Sequence, residues 1–503
     1  MLGKSLLVGI GVGIVATAFR WCIARAEETA RSMYGMAADK PLLIALIFAG
    51  LIAVALIVGF FIRKVPYANS SGIPQTKGLI TGQLDYSWWK VLLVKFFGTV
   101  ASIFSGLSLG REGPAIQLGG CVGQAVGGRL GKSEAEKKIL IAGGAGAGLG
   151  TVLGAPLAGI LFSVEDMLKY FSPAIMICTM TSGFVSQFIA AQIFGVEPIF
   201  HLTVTASLPY SAMWILLPMG IVVGLAAVGY NRILLSSQKI YRELPFMRPW
   251  LKTVIPFVLA GILGLLMPEV LGGGEIIINN LDVSLALKYL LLLLAVKFCF
   301  FVICFDSGAP GGNLFPILVL GAIIGAVCGY VAVYWCGFPR EMYANFVVFA
   351  MAAYFTAIAR TPITGIVLVL ETTGAFSELL PVAVVSLIAF TVSVLLKNPP
   401  IYDALLEARV KLEKGTPATE GTVEGDKCEL EFLVQHGSAF ENLVLGELPL
   451  PKNSRVEAIR RCENLLIPTE ETRIHAGDYL IVLTDTDSSA FVYAHLTKMT
   501  SSD

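Results

Sequence analysis

Charge is scarce in this sequence. Only 14% of its 503 residues are Asp, Glu, Lys or Arg, against about 25% in soluble domains. A water-surrounded globule is therefore excluded for most of the chain. Histidine is rarer still: His201, His436, His475 and His495 are the whole complement, and they have no ligand spacing. The nine cysteines include no C-x-x-C pair, so neither a metal centre nor a redox-active dithiol is expected, and no cofactor is called for. Most of those cysteines lie in apolar runs and read as buried thiols. With no nucleophile–base pair in view either, an enzyme is not expected, nor a partner of nucleic acid polymers.

What the chain has in abundance is apolar sequence. Its mean hydropathy is +0.76, and apolar runs recur near 5–19, 41–62, 91–107, 139–164, 174–195, 212–229, 253–267, 284–305, 314–336, 343–370 and 377–396. Several reach the roughly 20 residues that a membrane-spanning helix needs, while others are short or interrupted by Gly. The fold expected is an all-α polytopic membrane domain over residues 1–410. Residues 1–19 have some features of a secretory signal, with Lys4, an apolar stretch and Ala16-Thr17-Ala18, but the apolar stretch continues into Phe19 and further spans come after it; an uncleaved first helix is the better reading.

The charges that exist are unevenly placed. Residues 411–503 hold 9 basic and 16 acidic residues, whereas the remainder holds 27 basic and 20 acidic. The stretch GTPATEGTVEGDK, within an expected linker over 411–427, has no periodicity. Beyond it, CELEFLV and DYLIVLT alternate like strands and RVEAIRRCE reads as the start of a strand–helix element, so a small α+β domain over 428–500 is expected in water.

The membrane part repeats itself. Pro156-Leu157-Ala158-Gly159-Ile160 leads to Glu165, and Pro362-Ile363-Thr364-Gly365-Ile366 leads to Glu371, both as P-x-x-G-I-x₄-E. Each copy comes after a Gly-rich block, GREGPAIQLGG (110–120) and GAPGGNLFPILVLG (308–321). Duplicated halves with Gly/Pro-broken segments at matching places point to a transporter or channel whose site lies at the repeat interface. A broken helix presents free N–H groups and the positive end of its dipole. Within a membrane that is tolerated only where the ends face an ion or water, and free N–H groups favour an anion.

Three blocks fit: Ser70-Ser71-Gly72-Ile73-Pro74, Gly110-Arg111-Glu112-Gly113-Pro114 and Gly312-Asn313-Leu314-Phe315-Pro316. Each places Pro near a helix start and Gly beside it. Arg111 and Glu112 stand alone between two uncharged stretches, Phe96–Gly110 and Gly113–Gly128, and a charge pair in such surroundings is expensive unless something uses it. The octet GGAGAGLG (143–150) lacks G-x-G-x-x-G spacing and reads as a surface for close helix packing rather than a dinucleotide loop.

In that order and spacing, SSGIPQ, GREGPAIQLGG, GAPGGNLFP and PPIYDALL resemble the CLC family of chloride channels and chloride/proton antiporters, over about residues 5–410. The tail resembles the RCK C-terminal (TrkA-C) regulatory domain of potassium transport proteins. The CLC resemblance implies inverted repeats, multi-pass insertion in the cell membrane and transport of chloride and protons. It gives Ser71 and Tyr402 as hydroxyl ligands of a central chloride, with Gly72, Arg111, Gly113, Asn313, Leu314 and Phe315 around the anion positions, largely through backbone N–H groups. It makes Glu112 the gating carboxylate, a group that occupies an anion position until protonated, and Asp166 the inner proton relay, with Glu165 the competing neighbour.

Other readings of these residues stand beside those roles. Ser71 alone is an N-cap, Tyr402 alone an interfacial aromatic, Asp166 a solvated helix end near Lys169, and Arg111–Glu112 a structural pair. A passive voltage- or proton-gated chloride channel and a fluoride/proton antiporter are the alternative functions. The fluoride reading is disfavoured by the Ser71 and Tyr402 pair. From a different class, the chain could be a nucleotide sensor with a degenerate membrane part, which the intact anion motifs oppose. The resemblance further implies a homodimer, a cytoplasmic tail and a cyclic dinucleotide as a possible tail ligand. Two departures stand out: Asn313 and Leu314 replace an apolar residue and a phenylalanine, and the family's first amphipathic helix has no counterpart at the start of this sequence.

Overall fold

The computed structural model describes every residue except 38–39, 170, 203, 205, 244–248, 415–426, 453, 462–463, 486–487 and 502–503. It divides into two compact units, Met1–Ile80 with Tyr86–Leu406, and Glu407–Asp503 with Thr81–Asp85.

The first unit is helical and built from two series of eight. The first series is α1 (Leu2–Ala37), α2 (Pro41–Lys64), α3 (Ile73–Ile80), α4 (Trp88–Phe104), α5 (Glu112–Leu130), α6 (Glu134–Leu153), α7 (Pro156–Phe162) and α8 (Pro173–Phe194). The second is α9 (Leu216–Glu243), α10 (Pro249–Leu266), α11 (Glu275–Asn279), α12 (Leu287–Asp306), α13 (Leu314–Tyr334), α14 (Tyr343–Ala359), α15 (Pro362–Thr373) and α16 (Leu379–Leu395). The short helices fall third and seventh in both series. Equivalent pairs pack alike: α5 on α6 as α13 on α14, α1 on α8 as α9 on α16, and α6 on α8 as α14 on α16. The series meet through equivalent members, α2 on α10 and α7 on α15, which is what duplication about a two-fold axis requires. Among the described residues, eight helical spans are long and apolar enough to cross a membrane.

Small residues let this bundle close. A side chain at Gly119 would run into the Gly144 carbonyl, and one at Gly148 into the Ala115 carbonyl. The GGAGAGLG octet is thus the face on which α5 and α6 come together. Of the seven cysteines whose side chains are described, Cys121, Cys178 and Cys304 are buried, Cys22 and Cys328 partly so, and Cys299 and Cys336 exposed. The buried-thiol expectation therefore holds for only part of the set, because an apolar helix in a membrane also turns apolar residues outward.

The repeated P-x-x-G-I-x₄-E has a structural explanation. Pro opens both α7 and α15, leaving the next N–H groups free at a helix start. Glu371, on α15, accepts from the Leu157 N–H at 3.1 Å and the Ala158 N–H at 2.9 Å. Glu165, in the π-helical turn Ser163–Leu168 that continues α7, accepts from the Ile363 N–H at 3.0 Å and the Thr364 N–H at 2.7 Å. Each half caps the other's helix with a carboxylate, satisfying orphan donors and opposing the helix dipole.

Helix α17 (Ile401–Lys414) runs on through residues 411–414, which the sequence assigns to a linker, and an i,i+4 ion pair of 2.5 Å between Glu407 and Lys411 supports that extension. The rest of the expected linker, up to residue 426, lies outside the described residues. The tail is a four-stranded antiparallel sheet in the order β1-β4-β2-β3, with β1 (Lys427–Leu433), β2 (Ser454–Arg461), β3 (Asn464–Leu466) and β4 (Tyr479–Asp485), and then α18 (Ser489–Thr500). Leu430, Phe432, Val456, Ile459, Leu480, Val482, Val492 and Leu496 form its core. RVEAIRR is wholly strand and leads into β3, antiparallel to it, so the expected strand–helix element is corrected to a strand pair; β-branched Val456 and Ile459 face the core at strand spacing, offset by a bulge between Val456 and Ala458.

These contacts carry two stability predictions. Replacing Glu165 or Glu371 by Ala leaves two helix-start N–H groups, one of them part-buried, without their acceptor and is expected to cost about 1 kcal/mol each, read as a lower thermal midpoint of the detergent-solubilised protein. In the tail, burial alone would raise the Asp478 carboxyl, but hydrogen bonds from Arg461 at 2.8 Å and from the His475 N–H hold it below the usual carboxylate range. Its stabilisation is therefore present above a pH of about 4 and is lost as pH falls through the depressed value; Asp478→Asn should flatten that acid limb of a denaturation profile of the tail's sheet.

Candidate anion and proton site

Three loops are stitched together where α3, α5 and α13 begin. The Ser70 N–H donates to the Gly308 carbonyl at 3.2 Å and the Gly311 N–H to the Ser70 carbonyl at 3.1 Å. Gly110 and Gly312 exchange N–H···O bonds of 2.8 and 2.6 Å. Gly72 has φ +98°, a left-handed conformation that glycine adopts without strain. A side chain on Gly113 would collide with Ser71 and Gly312. The three motif blocks thus meet with their helix N-termini side by side.

A buried lysine in each half holds the loop ahead of its short helix. Lys95 of α4 donates to the Ala68 and Asn69 carbonyls, both at 3.3 Å, and to the Ser70 carbonyl. Lys297 of α12, the equivalent helix, donates to the Val270 and Gly272 carbonyls at 2.8 and 2.9 Å. Neither lysine stood out in the sequence. The signal was available, since a lone cation in an apolar helix needs a partner.

Around this junction Ser71, Glu112, Asn313, Leu314, Phe315 and Tyr402 are all buried. Ser71 Oγ lies 3.4 Å from Asn313 Oδ1. The Tyr402 hydroxyl closes no hydrogen bond, and its ring meets Phe162 edge-on at 6.1 Å. Glu112 is completely buried, neither of its carboxylate oxygens closes a hydrogen bond, and one of them rests against Gly110 beside Phe315 and Pro316. Arg111 is a poor partner for it. Arg111 Nε is 3.9 Å from Glu112, whereas its terminal nitrogen is 3.1 Å from Glu275. A cleft lined by Glu27, Leu109, Arg111, Glu112, Gly273, Glu275 and Phe315 opens here. Glu27 and Glu275 were missed from sequence. Glu275 was findable, because Gly273-Gly274-Glu275 opens α11 where Ser71-Gly72-Ile73 opens α3.

Asp166 is elsewhere in the unit, and it is not a solvated helix end. It is buried and accepts from Lys77 Nζ at 3.0 Å. Lys77 also pairs with Asp403 at 2.5 Å, and Lys169 turns to Asp403 at 2.7 Å rather than to Asp166. Glu165, committed to the α15 cap, is not part of this cluster. Lys77 and Asp403 were missed although Lys77 stands two residues past SSGIPQ and Asp403 inside PPIYDALL; nothing in those strings says that they meet.

Residues 54–394 match the Voltage gated chloride channel family. The H(+)/Cl(-) exchange transporter ClcA of Salmonella arizonae is 33% identical over 448 residues, covering 84% of this chain and 93% of that protein. This chain belongs to the CLC family. The H(+)/Cl(-) exchange transporter ClcA of Vibrio cholerae is likewise 33% identical, over 82% of this CLC protein and 90% of the relative. A slow cyanobacterial Cl-/H+ antiporter superposes with a TM-score of 0.77 at 28% identity, covering 82% of this chain and 98% of that one. A CLC-type fluoride/proton antiporter shares the fold at 22% identity and a TM-score of 0.63. Residues 430–496 match the TrkA-C domain. The protein is a multi-pass membrane protein of a family of transporters, with a TrkA-C tail.

The ion cluster makes a prediction of its own. Lys77→Met leaves the buried Asp166 carboxylate without its cation, while Asp403 keeps Lys169, and should cost about 3–5 kcal/mol. Adding Asp166→Asn should recover part of that loss, so the thermal midpoints of single and double variants should be clearly non-additive.

Proposed function

We propose that this CLC protein exchanges chloride for protons across the membrane, as its exchange-transporter relatives are named for doing. The observation that carries this reading is Glu112, a fully buried carboxylate without a hydrogen-bond partner beside the start of α13. Helix N-termini favour an anion, and a carboxylate there stands in for one. Protonation of Glu112 removes its charge, frees it from the site and admits chloride. Ser71 and Tyr402 then hold the ion with neutral hydroxyls, joined by N–H groups at the starts of α5 and α13 near Gly72, Gly113, Asn313, Leu314 and Phe315. Neutral donors let the ion leave as well as enter. Arg111 contributes positive potential at the outer mouth.

In the same proposal Asp166 collects protons on the cytoplasmic side and passes them through water towards Glu112. Lys77 lies 3.0 Å from it as a neutralising partner. That ion pair also supports a second reading, a passive chloride pathway in which Asp166 carries no protons. We assign the TrkA-C tail to the cytoplasm as a paired lobe that tunes transport in a homodimer, with a cyclic dinucleotide as its candidate ligand. Truncation at Gly415 should then keep flux and lose regulation.

The test is reconstituted flux with simultaneous chloride and pH recording. Wild type should drive protons against a chloride gradient. Glu112→Ala should pass chloride and move no protons, and a Glu112→Ala protein coupled like wild type removes the gating role. Asp166→Asn should retain chloride movement and end coupling, while Asp166→Glu keeps both. A wild type that moves chloride and no protons establishes the passive reading instead.

A further inference from the structure

We propose that the central anion site of this chain is extended by two side-chain groups given no role above, the Asn313 amide and the Tyr230 hydroxyl, which hold a small monovalent anion together with Ser71 and Tyr402. The proposal rests on the transport reading, because it enlarges the same site.

Burial is the first support. Ser71, Tyr230, Asn313 and Tyr402 are exposed by 1, 2, 0 and 0% respectively. The hydroxyls of Tyr230 and Tyr402 and the Asn313 Nδ2 close no hydrogen bond. A buried donor left unmatched costs about 1–3 kcal/mol, so three in one neighbourhood are costly unless a shared acceptor completes them. The second support is orientation. Asn313 turns its oxygen to Ser71 Oγ at 3.4 Å, which leaves its NH₂ group, with two hydrogens, free of that contact. The Asn313 side chain makes no cap bond to its own helix, so capping does not account for it. The third is proximity: the Tyr230 hydroxyl, on α9, has the Asn313 side chain beside it and Tyr402 among the groups that act on it electrostatically. The Tyr230 ring is held by stacking on Phe301 at 5.9 Å and by an edge contact with Tyr354 at 6.0 Å. These three groups can all donate, and none of them is cationic. Such a set fits a chloride-sized anion and gives strongly hydrated anions the greater advantage, because they lose most when water is stripped away.

The test is isothermal titration of the purified full-length protein with chloride and, separately, thiocyanate, a weakly hydrated anion. Tyr230→Phe removes one oxygen and keeps the ring; Asn313→Leu installs an apolar residue and leaves the backbone N–H in place. Each is expected to weaken chloride roughly five- to tenfold, the loss of one hydrogen bond of ordinary strength, and to weaken thiocyanate less, so the chloride-over-thiocyanate preference falls. Tyr343→Phe, which removes another buried hydroxyl without a hydrogen bond, should bind both anions as wild type does. If Tyr230→Phe and Asn313→Leu weaken both anions equally, the two residues are structural and the proposal is overturned. If both variants bind like wild type while Tyr402→Ala loses chloride, the central site stands and its extension falls. A wild type that binds no chloride removes the transport reading and this proposal together.

Discussion

The unsatisfied N–H group at a helix start governs this molecule. In water such a group costs little, but inside an apolar bundle it must find an acceptor. Two kinds of acceptor are used. At α7 and α15 the acceptor is a protein carboxylate from the opposite half, Glu371 and Glu165, fixed by two N–H bonds each. At α13 a carboxylate, Glu112, lies close by without closing such bonds. The same physics thus gives a permanent cap in one place and, in our proposal, an exchangeable one in the other.

The few charged side chains of the bundle divide by the same logic. Lys95 and Lys297 are spent on backbone carbonyls and fix the loops ahead of α3 and α11. Lys77 is shared between Asp166 and Asp403. Arg111 is drawn to Glu275 rather than to its neighbour Glu112. Glu112 has the loosest ion pair of this group, 3.9 Å to Arg111, and a buried charge so weakly partnered is expensive enough to require a use. Its isolation is the feature on which the proposed exchange depends.

Much of the architecture is legible in the chain alone. Apolar runs of membrane length, Pro and Gly at helix starts and a duplicated P-x-x-G-I-x₄-E pattern are enough for a two-fold bundle of broken helices, because each is a local property. The tail's RVEAIRR shows a partial misreading: the strand is right, but the next element is a second strand rather than a helix, since the partner that decides the matter lies downstream. The Glu165–Asp166 pair shows the limit most clearly. Adjacent carboxylates look alike in sequence, yet the π-helical turn after α7 sends Glu165 to α15 and Asp166 to Lys77.

Composition and motif spacing by themselves determined a membrane bundle, its repeat, the helix starts that favour an anion and the lone Arg111–Glu112 pair at one of them; the ligand roles of Ser71 and Tyr402 come only from the CLC resemblance. Only the tertiary structure decided which groups meet. Lys77 with Asp403, Arg111 with Glu275 and Tyr230 with Asn313 are remote in the chain, and only packing makes them neighbours; Arg111 and Glu275 meet across the two duplicated halves, whereas Tyr230 and Asn313 meet within the second. Tyr230 sits in a long apolar helix with no local mark of function. Its surroundings come from α12, α14 and α17 and from the residue that opens α13. Local sequence fixes which groups a helix start can offer, and packing at a distance fixes what stands opposite them.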